Sequence, residues 1–99
     1  MKSLKLEIQQ TIDSLEVIRD KQELPDDKLL DSIDVLYEQQ IKISEAEIKD
    51  VTNEYVKATE VMKNAAKQTK ESINDLTKLE KSIQSISEAV SYITRLYAV

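Results

Sequence analysis

The chain has ninety-nine residues with no Gly, Cys, His, Trp or Phe, a single Pro, and four Tyr as its only aromatics. Without His or Cys it lacks the usual neutral-pH proton shuttle, a thiol nucleophile, a disulfide and the commonest zinc ligands, so no catalytic residue, cofactor or metal is expected. A net charge of −5, from 14 basic and 19 acidic side chains, opposes the phosphate neutralisation behind non-specific nucleic-acid binding.

At this length one domain is expected. Gly supplies the positive-φ positions of hairpins and tight turns, so its absence predicts an all-α chain with very few connections. Leu4, Ile8, Ile12, Leu15 and Ile18 step by four, four, three and three, the apolar stripe of an amphipathic helix. That helix is predicted over residues 3–23. Pro25 ends it, because Pro disfavours helical geometry in the residue before it and has no N–H to give a helix interior. Asp26 and Asp27 behind Pro25 read as the first turn of a second helix. Residues 25–50 hold three Lys against eight acids, and Asp26, Asp27, Asp31 and Asp34 form an acidic patch. Such carboxylates either favour the positive end of a helix or present an acidic docking surface.

From Leu30 onward the pattern is a heptad. With Ile41 at position a, the a and d positions to Tyr97 are apolar or Ala at fourteen of seventeen places. An alternation this long, with no Gly or Pro inside it, predicts coiled-coil-like packing of one long helix over residues 26–97. Such a helix would extend about 110 Å, of which a 20-residue first helix covers about 30 Å. The expected fold is therefore a helical hairpin with a short first and a long second helix. The remaining stripe is the expected partner-binding seam: Ile41, Ile48, Val51, Tyr55, Ala58, Met62, Ala65, Thr69, Leu76, Leu79, Ile83, Ile86, Val90 and Ile93. Two interruptions are possible. Ser44 with Glu47 matches a capping box, and the thin seam between Asn64 and Ser72 could break to give a three-helix bundle.

The positions flanking the seam carry no basic residue from Lys42 onward, so a parallel homodimer lacks the opposite-charge pairs that hold its register. A bundle or a different protein with amphipathic helices fits better. The segment Ile83 to Val99 contains Glu88 and Arg95 and is too short and polar to span a membrane. Met1 to Gln10 lacks the hydrophobic run of a signal peptide, which predicts a cytoplasmic protein, with export by a route without a cleaved signal left open.

Taken together, the opening Leu6-Glu7-Ile8 through Leu15, the Pro25 break, the Leu29 to Leu36 stretch and the run Tyr55 to Ile86 resemble the small all-helical proteins associated with LXG toxins of Gram-positive type VII secretion. The chain departs from the related secreted hairpins in having no W-x-G turn and no Y-x-x-x-[DE] signal. The resemblance implies an adaptor, chaperone or targeting partner that packs along a toxin's helical N-terminal domain. The residues alone leave two other readings open: a self-assembling bundle module, or an acidic immunity-type inhibitor acting through Asp26 to Asp50.

Overall fold

Leu4, Ile8, Ile12, Leu15 and Ile18 form one fully buried row along the first helix, α1 (Leu4–Lys21), in the computed structural model of the protein, which describes residues 3–45 and 52–97. Ser3 caps α1, its Oγ accepting the Leu6 N–H at 3.2 Å. The orphan N–H of Leu4 reaches across to Tyr55 Oη at 3.3 Å. Gln22 leaves the helix in extended geometry and Pro25 follows. Asp26 then caps α2 (Asp27–Glu45), its carboxylate accepting the Lys28 N–H at 2.9 Å.

The long second helix does not form. The stretch from residue 26 to 97 is divided into α2, α3 (Asn53–Ser72) and α4 (Leu79–Tyr97), and the protein is a four-helix bundle rather than a hairpin or a three-helix bundle. Ser44 starts nothing: it lies inside α2 and its hydroxyl donates to Gln40 O at 2.9 Å. Glu47, the other half of the expected capping box, lies outside the described residues. The cap of α3 is instead Thr52, whose Oγ1 accepts the Tyr55 N–H at 3.2 Å. The thin stretch Asn64 to Ser72 is helical throughout, and the break follows it at Ile73 to Asp75. Asp75 caps a 3-10 turn, Leu76–Lys78, that runs into α4. None of these turns uses a positive φ among the described residues. Asx and Thr caps and extended residues do the work usually given to Gly, so a Gly-free chain has room for more connections than composition implied.

Around the bundle the order is α1, α2, α4, α3, and among the described residues the backbones approach closely only between neighbours in that ring, not across either diagonal. Lys21 Nζ donates to Ile73 O at 3.2 Å at one end and Tyr55 meets Leu4 at the other, so α1 and α3 run parallel. Gln39 Nε2 donates to Thr94 Oγ1, which places the late turns of α2 and α4 together. Two antiparallel hairpins, α1–α2 and α3–α4, thus lie side by side over one shared core. The bundle measures 40 × 21 × 18 Å, far short of the rod that a 72-residue helix would make.

Candidate interaction surface

The expected seam divides into two parts. Ala58, Met62, Ala65 and Thr69 of α3 and Leu79, Ile86 and Ile93 of α4 lie in the core, and Tyr55, Ile83 and Val90 are packed partly buried against it. These residues are covered by the protein's own helices and are not open to a partner. Leu76 falls in the 3-10 turn and is 47% exposed. Ile41 is 58% exposed. Ile48 and Val51 lie outside the described residues.

The reason is visible on α2, which carries two apolar rows. Leu29, Ile33, Leu36 and Ile43 are buried and hold the helix to the bundle. Leu30, Tyr37 and Ile41, the residues in register with the heptad, stand about 100° round the helix from them at 100° per residue and are all exposed. The seam therefore turns inward in α3 and α4 and outward in α2. Elsewhere exposed large apolar residues are scattered: Leu6 and Val17 on α1 are eleven positions apart, Val56 stands alone on α3, and Leu24 sits in the α1–α2 connection.

The outer row lies on the flank of α2 that faces α1. Gln40 Nε2 donates to Gln9 Oε1 at 2.7 Å, and the Tyr37 hydroxyl donates to Glu16 Oε2 at 3.3 Å. Partial desolvation, and then the Glu16 carboxylate, hold the Tyr37 phenol above its ordinary pKa. At the end of the row an open groove of about 510 Å³ runs between the start of α1 and the end of α2, lined by Lys5, Gln40, Ile41, Ser44 and Glu45.

The acidic patch has two roles. Asp26 and Asp27 occupy the cap and first turn of α2, where carboxylates favour the helix start. Asp31 and Asp34 are exposed further along, with Asp34 in the gap of the outer row. Neither is in an ion pair with a described residue; those pairs are confined to Arg19 with Glu16 and Asp20. The first hairpin, residues 3–45, holds five basic and eleven acidic side chains, a net of −6. Residues 52–97 hold seven basic and six acidic, a net of +1.

A second groove, about 470 Å³, lies between α3 and α4 and is lined by Asn64, Lys67, Gln68, Glu71, Lys78, Lys81 and Ser82. One of its lining residues, Ser82, is paired with the buried Ser72, their hydroxyl oxygens 2.6 Å apart. On α4 the ring of Tyr92 lies under Lys57 and Arg95, 5.9 and 5.2 Å from its centroid. That Tyr therefore packs partly buried against the core while its ring meets the two cations.

Among the described residues no group of His, Cys, Asp or Glu is gathered as a metal would need, and no helix is long and apolar enough to cross a membrane. Comparison with known proteins gives no matching family, no matching curated relative and no matching solved structure. The fold defines the class to which the chain can be assigned, an all-α four-helix bundle.

Proposed function

We propose that the protein is a non-enzymatic helical adaptor that binds a helix of another protein through the outer row of α2. The observation that carries this is the second apolar row. A helix that served the bundle alone would need one apolar face, and α2 has two, of which the outer leaves Leu30, Ile41 and the ring of Tyr37 exposed, with only the Tyr37 hydroxyl bonded inside the protein, to Glu16. The proposed binding surface is thus moved from the long seam, most of whose described residues pack in the bundle, to the outer row of α2 that carries its first residue, Ile41. The resemblance to LXG-toxin-associated proteins supplies a named partner class, the helical N-terminal domain of such a toxin; the two-helix hairpin of the related secreted proteins is not the fold here.

The test is co-purification with the product of the neighbouring reading frame, followed by light scattering on the complex. A defined complex that Ile41→Asp or Tyr37→Ala abolishes, with melting temperature unchanged, is the expected result. A complex indifferent to both substitutions would remove the outer row as the binding surface. A self-assembling module is the competing reading, and the same light scattering decides it: a stable oligomer of the chain alone would support it.

A further inference from the structure

The outer row of α2 sits in a charged frame, and the frame specifies the helix that fits it. This inference rests on the adaptor reading and adds the chemistry of the partner. Beside Leu30, Tyr37 and Ile41, α2 exposes Asp27, Asp31, Asp34, Glu38 and Glu45. Beyond the groove, the flank of α1 that meets α2 adds Asp13, Glu16 and Asp20. Of these carboxylates only Glu16 and Asp20 meet a cation among the described residues, both of them Arg19. The cations of α2, Lys28 and Lys42, lie about 100° or more round the helix from the nearest residue of the row, and Asp31 shares their face, whereas Asp27, Asp34 and Glu45 stand within about 60° of the row's centre at 100° per residue. Lys5, lining the groove at its end, is the cation nearest Ile41 that the groove itself contributes.

We infer that the occupant is a basic amphipathic helix of a partner protein, laid along the α1–α2 groove. Its apolar row meets Leu30, Tyr37 and Ile41, and its Lys and Arg side chains stand over Asp13, Asp34 and Glu38. The row runs eleven residues, about 16 Å or three turns, so about a dozen residues of partner helix satisfy it. Uncompensated carboxylates around an apolar strip attract a basic helix from a distance and repel an acidic one, which sets partner choice and association rate. A second copy of this chain is a poorer fit. Its basic surface is on α3, around Lys63, Lys67 and Lys70, and the only large apolar residue that α3 exposes is Val56.

Two labelled helical peptides of about twenty residues test this, identical in their apolar row and flanked by Lys in one and by Glu in the other, followed by fluorescence anisotropy on the full chain. The Lys peptide binds and the Glu peptide does not. The variant Asp13→Asn/Asp34→Asn/Glu38→Gln weakens binding at least tenfold while its melting temperature holds, and Ile41→Asp abolishes it. Equal binding of both peptides, or full affinity in the triple variant, overturns the charge assignment; if Ile41→Asp still abolishes that binding, the adaptor reading survives. If neither peptide binds, both fall. A dimer of the chain alone in sedimentation equilibrium, dissolved by Ile41→Asp, gives the row to a second copy and overturns the inference.

Discussion

Glu7 is 2% exposed, its Oε1 has no hydrogen-bond partner, and it makes no ion pair with a described residue. It lies half a turn round α1 from Gln9 and Glu16, which face α2, and so sits on the side toward α3. One carboxylate oxygen buried without a partner costs the fold about 1–3 kcal/mol. Its place in the first turn of α1 returns only about 0.3–1 kcal/mol from the helix dipole. The first effect is larger, so Glu7→Leu is expected to raise stability by roughly 1–2 kcal/mol, read as a higher urea midpoint with unchanged slope. A fall would mean that the carboxylate has a partner. Asp75 shows the opposite arrangement. Its oxygen accepts both the hydroxyl and the N–H of Thr77, which lowers its pKa from 3.8. A depressed folded-state pKa adds stability above the unfolded value, lost as pH falls through the folded one. Asp75→Asn should therefore flatten the acid limb of a stability–pH curve below about pH 4. An acid limb as steep as the parent's would show that the cap plays no part in it.

At the scale of the helix, α2 separates core from surface within one sequence. Ile33 is 4% exposed and Ile41 58%. Ile33→Ala should cost about 2–4 kcal/mol, as core truncations do, whereas Ile41→Ala should stay within about 0.5 kcal/mol. Denaturant melts of the two variants check this, and equal losses would mean that the outer row is covered after all. The same contrast explains what the sequence could and could not disclose. The α1 stripe was legible because all five of its residues face one core on a helix bounded by Pro25. The heptad was real but misleading in its continuity. Ser72 and Leu79, the last core residue of α3 and the first of α4, are seven apart. The turn between them fills one heptad and leaves the register unbroken. Spacing alone cannot tell a helix that continues from one that reverses after a whole repeat. The true signals were small, Thr52 and Asp75 as caps, and neither stands beside Gly or Pro. Extending the register back into α2 then picked its outer row, while the inner one, Leu29, Ile33, Leu36 and Ile43, served the core. Of the predicted site, Asp26, Asp27, Asp31, Asp34, Ile41 and Leu76 are exposed, Ile48 and Val51 lie outside the described residues, and the others are buried in the core or packed partly buried against it.

The whole molecule is set by how the two hairpins lie against each other, and here a direct geometric prediction is available. With α1 parallel to α3, the ends of α1 and α3 near Lys21 and Ile73 share one end of a 40 Å bundle, and Arg95 near the end of α4 occupies the other. The chain has no Cys, so spin labels can be placed without removing any native thiol. Dipolar measurements on a Lys21→Cys/Asn74→Cys pair should give a short distance, well under half the bundle's length. Those on Lys21→Cys/Arg95→Cys should give a distance approaching its full length. Hairpins packed the other way round would place the start of α3 and the end of α4 beside Lys21 and reverse the two results. A single long helix would instead place Asn74 far from Lys21, since about fifty residues of helix span roughly 75 Å. Pairing α1 with α2 and α3 with α4 matters for charge as well as for shape. The more acidic hairpin carries Leu30, Tyr37 and Ile41 on its outer flank with the α3–α4 hairpin behind it, so on the proposed reading the charge that would draw a basic helix is concentrated beside that row.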